Sequence, residues 1–377
     1  MGLLFRLGLL IAALLAGLQG ACAPCVLHAP GAAVPEWRQP DGGAAADGYR
    51  AMELRPPLRL LWQADLGAAP AGGPLVYGAV VAQASTRPSV HAFERLSGGR
   101  LGRCGLEAQL LGGPALAAGA LLLPGGGSRP ALRALDIRSR VQRWSRPGRY
   151  CGVLAATEDT LIAVGEAGTV AALAAADGHD LWRFDSGDRM RVNATALGTA
   201  VYIGTSAGRV LRLELASGEV MWERQLDSSV RVRPLARGAR VYVGTRSGRI
   251  AALNAATGTL EWEQVLGAIP APALALADTV LVAAAADRRL YGLVARTGAV
   301  RWEQATGGVV GSPPVVAGST AFCASSDGRL YAVRAADGEV LWQIDLDAPV
   351  MQPLAVGPGF VAVTTEKGTL YVFGADR

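Results

Sequence analysis

Two pairs of arginines are the residues of this sequence whose type and spacing favour a binding chemistry. Arg191 lies nine residues after Trp182, and Arg231 lies nine residues after Trp222. Two further arginines flank them, Arg189 and Arg233. Because a guanidinium donates parallel hydrogen bonds to a carboxylate, arginines that converge on one rim could clamp acidic groups of a partner. The alternative is that all four are solvated rim residues without a partner.

Residues that serve acid–base or metal chemistry are scattered along the chain. The three histidines, His28, His91 and His179, are too isolated for a zinc site. Outside the Cys22–Cys25 pair no two cysteines have metal-ligand spacing. The sequence therefore identifies no catalytic, metal-binding or cofactor-binding residues, and we predict that the protein is not an enzyme.

The composition describes a folded chain that is rich in turns. Of 377 residues 49 are Gly, 51% are hydrophobic and 18% are charged, which argues against intrinsic disorder. Beyond residue 18 no apolar run is long enough to span a membrane. The net charge of +5 comes from arginines spread over many turns, and Lys367 is the only lysine, so we predict no nucleic-acid partner.

The amino terminus has the layout of an export signal. Residues 1–21 combine Arg6, an apolar stretch and small residues, which indicates a signal peptide. Cys22 then follows small residues and resembles a bacterial lipobox, which implies a lipid anchor on Cys22. Ordinary cleavage after Ala21 or Ala23 is the alternative. Residues 22–55 are rich in Ala, Gly and Pro and are predicted to form a flexible tether.

Four more cysteines lie beyond Cys22, and their pairing stays open: Cys25, Cys104, Cys151 and Cys323. An exported chain could form a disulfide between two of them. Lone buried thiols are the alternative.

A repeat that is marked by regularly spaced tryptophans organises the rest of the chain. Tryptophans recur at steps of 38, 40, 40, 40 and 40: Trp144, Trp182, Trp222, Trp262, Trp302 and Trp342. Trp62 lies two such steps before the first of these, so one repeat near Gly102 lacks its Trp. A fixed period of this length is typical of solenoids and propellers.

The segments between the tryptophans predict four short strands per repeat. Four residues before most tryptophans stands Gly, as Gly178 and Gly258 do, and Asp, Ser or Thr precedes it. These pairs favour tight turns, and short runs of β-branched residues separate the turns. A four-stranded sheet of this kind buries its faces by packing against its neighbours in a ring. We therefore predict an all-β, eight-bladed β-propeller over residues 56–377, and we expect it to be monomeric.

The ends of the repeat predict how the ring closes. Three strand-like runs follow Trp342, and a single strand surrounds Trp62 with no blade before it. The amino-terminal strand should therefore complete the last blade, in a 3+1 closure. The recurring Trp is expected to fill the gap between neighbouring blades.

The Gly-x-x-x-Trp repeat, for example over 251–262, resembles that of the PQQ-like propellers, and the resemblance covers all the intact repeats. One branch of this group contains quinone-dependent dehydrogenases, and the other contains the non-catalytic outer-membrane assembly lipoproteins of the BamB family. The dehydrogenases need a Ca²⁺ site, a catalytic carboxylate and, in the large alcohol dehydrogenases, a Cys–Cys pair. This sequence lacks the Cys–Cys pair and the insertions that would cover a cofactor.

The resemblance to the BamB branch implies a scaffold that binds proteins at the cell envelope. In that family the partner is the outer-membrane insertase, and an Arg after a Trp strand contacts it. Arg191 matches that Arg, with Arg189 beside it, while Arg231 and Arg233 stand where the family has acidic residues. The expected location is the periplasmic face of the outer membrane, or the periplasm. A quinoprotein dehydrogenase and a ligand-sensing propeller remain the alternative functions.

Overall fold

The computed structural model describes residues 48–375 of the chain. The predicted signal peptide, Cys22, Cys25 and most of the predicted tether lie outside these residues. The described part contains 33 strands joined by turns and no helix, and thus no helix that could cross a membrane. Two strands precede the repeats: β1 (Tyr49–Arg50) and β2 (Arg59–Asp65).

The strands form eight sheets that follow one another along the chain. Blade 1 holds β3 (Leu75–Tyr77), β4 (Val80–Ser85), β5 (Ser89–Glu94) and β6 (Arg100–Gly105). Blade 2 holds β7 (Ala115–Ala117), β8 (Ala120–Gly125), β9 (Ala131–Asp136) and β10 (Gln142–Pro147). Blade 3 holds β11 (Tyr150–Ala155), β12 (Thr160–Gly165), β13 (Thr169–Ala174) and β14 (Asp180–Asp185). Blade 4 holds β15 (Thr195–Leu197), β16 (Ala200–Gly204), β17 (Arg209–Glu214) and β18 (Val220–Gln225).

The second half of the ring repeats this arrangement. Blade 5 holds β19 (Leu235–Arg237), β20 (Arg240–Gly244), β21 (Arg249–Asn254) and β22 (Leu260–Val265). Blade 6 holds β23 (Ala275–Ala277), β24 (Val280–Ala285), β25 (Arg289–Val294) and β26 (Val300–Ala305). Blade 7 holds β27 (Val315–Ala317), β28 (Thr320–Ala324), β29 (Arg329–Arg334) and β30 (Val340–Asp345). Blade 8 holds β31 (Ala355–Gly357), β32 (Phe360–Thr364) and β33 (Thr369–Gly374).

The ring closes as the sequence predicts. Strand β2 pairs antiparallel with β33 and completes blade 8 as its outermost strand, with Trp62 opposite Val372. The first strands of adjacent blades contact each other, as β15 does with β19 and β3 with β31, so these strands line the centre of the ring. The eight-bladed propeller with 3+1 closure is therefore confirmed.

The alternating direction of the strands gives the ring two different faces. The crossover face carries the connections from the last strand of each blade to the first strand of the next, and the turns between second and third strands. The opposite, hairpin face carries the other two turns of each blade. The described chain begins inside the ring, where β1 runs parallel to β27.

The course of β1 leads from the crossover face to the hairpin face. Gly48 lies against Pro314, which precedes β27. Glu53 accepts a hydrogen bond from the backbone N–H of Ser319, after the end of β27. Residues 48–50, which the composition places in the tether, thus run along the inner wall of the ring. The following residues pass the turn after β27 on the hairpin face and lead to β2 at the outer edge of blade 8.

A Trp and a Gly dock most blades onto the next. The indole Nε1 of Trp222 donates to the carbonyl of Ala255, 3.1 Å away in the next blade, and Trp262 does the same to Ala295. A Cβ added to Gly258 would lie 2.7 Å from the Trp222 ring. Blade 1 has Gly102 in the Trp register, paired with Ala92, so the repeat without a Trp lies where the spacing predicts it.

Candidate functional site

The predicted binding arginines lie on neighbouring connections of the crossover face. Arg189 and Arg191 belong to the connection from blade 3 to blade 4, and Arg231 and Arg233 belong to that from blade 4 to blade 5. Arg189 and Arg191 are exposed, and Arg231 is half-buried. The three side chains are available to a partner at this face.

Arg233 differs from the other three because its side chain is only 3% exposed. Its Nε donates a 2.9 Å hydrogen bond to the carbonyl of Ala194, in the preceding connection. Its backbone N–H donates to the carbonyl of Pro272, in the following connection. Arg233 therefore holds three successive connections together at the centre of the ring and does not lie on the exposed rim.

Arg191 and Arg233 border a small cavity at the mouth of the central channel. The cavity measures about 160 Å³, and its wall includes Cys151, Asn193 and Pro272. These residues come from β11 and from connections that lead into the inner strands of several successive blades, which places the cavity near the axis of the ring. Its volume is below the range of about 300–1,000 Å³ that is typical of small-molecule sites.

A larger cavity of about 560 Å³ opens at the crossover face between blades 2 and 3. Its walls include Arg149, Tyr150, Ala171, Arg183 and Arg189. Glu166 also borders it and pairs with Arg149, with 3.0 Å between Oε2 and Nε. The site is therefore cationic, with three guanidinium groups against one carboxylate.

Arg183 and this larger cavity were not predicted from the sequence, although two signals were present. The step from Trp144 to Trp182 is shorter than every later Trp step, which marks a shortened unit. Arg183 directly follows Trp182, where Trp222 and Trp262 are followed by Glu.

The thiols of the described chain are poor candidates for chemistry. Burial raises the pKa of the Cys151 thiol to about 12, and burial also raises the pKa of Cys323. Both cysteines are free thiols, and Cys104 is disulfide-bonded. Because the thiolate is the reactive form, these shifts disfavour both free cysteines as nucleophiles at neutral pH.

Acidic side chains do not gather into a metal site in the described chain. Residues 48–375 contain no group of three or more His, Cys, Asp or Glu side chains that could hold a metal ion. Many acidic residues pair with arginines of their own or a neighbouring blade, as Asp188 and Glu223 do with Arg209.

Comparison with protein families matches almost the whole ring. The family model described as "Outer membrane protein assembly factor BamB" matches residues 59–167, 166–309 and 304–377. None of the curated proteins compared with the chain matches it.

Solved structures share the fold at low sequence identity. BamB from Moraxella catarrhalis superposes with a TM-score of 0.72 and 18% identity, over 84% of this chain and 100% of that one. A europium-containing methanol dehydrogenase superposes with a TM-score of 0.75 and 16% identity, over 93% of this chain and 99% of that one. The quinohemoprotein alcohol dehydrogenase from Comamonas testosteroni superposes with a TM-score of 0.73 and 15% identity, over 94% of this chain and 84% of that one. At such identities the likeness concerns the fold alone.

Proposed function

The chain belongs to the family of the outer membrane protein assembly factor BamB, and we propose that it is a non-catalytic scaffold that binds proteins at the bacterial cell envelope. The observation that carries the proposal is the family match, which extends from residue 59 to residue 377. The partner we propose is a component of the outer-membrane β-barrel assembly machinery. Its insertase is the first candidate.

The crossover face supplies the docking residues in this proposal. Arg191 is exposed and Arg231 is half-buried on adjacent connections, and neither forms an ion pair with a residue of the described chain. Arg189 lies beside them and is exposed too. Unpaired guanidinium groups on rigidly held loops can bind carboxylates of a partner without first breaking bonds of their own. Arg233, whose side chain is buried, supports these loops through its hydrogen bond to Ala194.

A quinone-dependent dehydrogenase is the rival function, because such enzymes share the fold. A Ca²⁺ ion beside a quinone requires several carboxylate or carbonyl oxygens converging on one point. The described residues offer no acidic cluster of that kind, and the axial cavity of about 160 Å³ is small for a cofactor. These two observations favour the scaffold over a quinone-dependent enzyme.

We also propose that the protein is exported and acts on the periplasmic face of the outer membrane. The family match and the signal-like residues 1–21 support this location. A lipid on Cys22 would tether the ring to the membrane, and a free periplasmic form would result from ordinary cleavage.

A charge reversal at the docking residues tests the scaffold function. The doubly substituted protein Arg191→Glu, Arg231→Glu should lose recovery of the insertase from detergent-solubilised envelopes, measured by mass spectrometry. Arg296→Glu is the matched control, since Arg296 is exposed on the hairpin face. If the unaltered protein, the double variant and the control recovered equal amounts of the insertase, Arg191 and Arg231 would not belong to the docking site. Tight quinone binding with dye reduction, in the presence of Ca²⁺, would overturn the scaffold function itself.

A further inference from the structure

The cavity between blades 2 and 3 exists because one connection of the ring is short. Nine residues join most last strands to the following first strand, for example residues 186–194 between β14 and β15. Only Gly148 and Arg149 separate β10 from β11, because β11 begins early and has six residues where the other first strands have three. No long connection therefore crosses the cleft between these two blades, and the cleft stays open at the crossover face.

The neighbouring cleft, between blades 3 and 4, is filled by its connection. Ser186 and Met190 of this connection are buried. Arg209 at the start of β17 closes the cleft, because its side chain donates to the carboxylate of Asp188 and to the carbonyl of Ser186. The residue in the same register at the start of β13 is Thr169, which cannot reach across the cleft in this way.

The electrostatics of the open cleft are reversed relative to the blades that follow. On blades 4, 5 and 6 an Arg at the start of the third strand pairs with a Glu on the fourth strand: Arg209 with Glu223, Arg249 with Glu263 and Arg289 with Glu303. Blade 3 has Thr169 in place of the Arg and Arg183 in place of the Glu. The Arg183 guanidinium thus faces the cavity with no acidic partner in the described chain.

We propose that the cleft between blades 2 and 3 is a binding site for a short acidic peptide segment. Arg183 and Arg189 would bind its carboxylates, while Arg149 remains paired with Glu166. Pro147, Tyr150 and Ala171 add apolar wall, which favours a peptide with apolar side chains between its acidic ones over a small free anion. The volume of about 560 Å³ lies within the range of ligand sites, about 300–1,000 Å³.

This site does not depend on the proposed scaffold function. Arg189 borders both surfaces, but the principal residue of the cleft, Arg183, is absent from the pair Arg191 and Arg231 whose substitution tests the scaffold function. The protein could bind the peptide without recovering an insertase, and it could recover an insertase without binding the peptide. The two proposals therefore succeed or fail in separate experiments.

Calorimetric titration of the full-length protein with acetyl-Asp-Leu-Asp-Leu-Asp-amide tests the site. The protein should bind this peptide and should not bind the same peptide with Asn in place of each Asp. Arg183→Glu should weaken binding by at least about tenfold, because a charge-assisted hydrogen bond becomes a repulsion. Arg296→Glu, on the hairpin face, should bind like the unaltered protein.

A second variant keeps the test decisive if Arg183→Glu folds poorly. Thr169→Arg combined with Arg183→Glu builds into blade 3 the pair that Arg209 and Glu223 form in blade 4. This double variant should fold, as judged by its melting temperature, and it should no longer bind the peptide in the calorimetric titration. Equal binding of the Asp and Asn peptides, unchanged affinity in this double variant, or equally tight binding of sodium succinate would each overturn the proposal.

Discussion

At the scale of single residues, the ring depends on the close approach of glycines to indole rings. Gly258 has a φ of +72°, and a Cβ placed on it would lie 2.7 Å from Trp222. Gly238 has a similar φ of +58°, but nothing lies within 4 Å of its Cβ position. Both positions strain an L-residue, and only Gly258 adds a clash with the preceding blade.

The pair gives a matched prediction for stability. Gly238→Ala should lower the free energy of unfolding by about 1 kcal/mol, from backbone strain alone. Gly258→Ala should lower it by about 2–4 kcal/mol, because overpacking against the indole adds to the strain. Urea unfolding of the two variants measures the difference. Equal losses would show that the contact between Gly258 and Trp222 does not constrain the blades.

His91 makes the stability of blade 1 sensitive to pH. Its side chain is 1% exposed, and its Nε2 lies 3.1 Å from the Ser89 hydroxyl. Its Nδ1 has no hydrogen-bond partner in the described chain. Burial, with a smaller contribution from nearby Arg103 and Arg100, lowers the pKa of His91 to about 4, and Asp65 opposes this shift.

Because the unfolded chain protonates His91 near its ordinary pKa of 6.5, the folded state loses stability as pH falls from about 6.5 to about 4. The loss should rise by about 1.4 kcal/mol per pH unit and approach ~3 kcal/mol. His91→Gln should remove this part of the pH dependence, while the carboxylates titrate alike in both proteins. Parallel curves of unfolding free energy between pH 7 and pH 4 would contradict the prediction.

At the scale of elements, closure of the ring depends on the strand that comes from the opposite end of the chain. Strand β2 contributes Trp62 to a hydrophobic cluster that includes Val361 and Phe373 of blade 8. Leu58 and Leu66, which flank β2, belong to the same cluster. Deletion of residues 56–66 removes these three buried side chains, each worth about 2 kcal/mol or more. It also leaves β33 as an open edge.

The deletion should therefore lower the melting temperature by on the order of 10 °C or more, as followed by circular dichroism. Leu60→Ser is the control on the same strand, since Leu60 is 45% exposed, and it should change the unfolding free energy by no more than about 0.5 kcal/mol. A deletion variant that melts with the unaltered protein would show that the other seven blades hold the ring without this closure.

The elements of the ring were predictable because most repeats share the same sequence pattern. Turn glycines and the Trp period indicated the blade count, and the three strand-like runs after Trp342 together with the single strand around Trp62 indicated the closure. The central position of Tyr49 was not predictable, because it rests on pairing with β27, which lies in blade 7 and far along the chain. The burial of Arg233 was not predictable either. A repeat pattern gives the position of a residue within its blade, but it does not identify the hydrogen-bond partner of its guanidinium.

At the scale of the whole molecule, one face gathers the features that bear on function. Arg191, Arg231 and the cleft that contains Arg183 open at the crossover face. Gly48, where the described chain begins, lies at the crossover end of the channel. We predict that a ring tethered through Cys22 turns this face toward the membrane.

This orientation can be measured on a single blade of the lipid-anchored protein. Ala207→Cys places a fluorophore in the turn after β16 on the crossover face, and Ser217→Cys places one in the turn after β17 on the hairpin face. Both positions are exposed, and a strand of six residues separates the two faces by roughly 20 Å. Energy transfer to an acceptor lipid in reconstituted vesicles should be stronger from position 207 than from position 217. The reverse order would mean that the hairpin face lies against the membrane, and that the docking arginines face the periplasm.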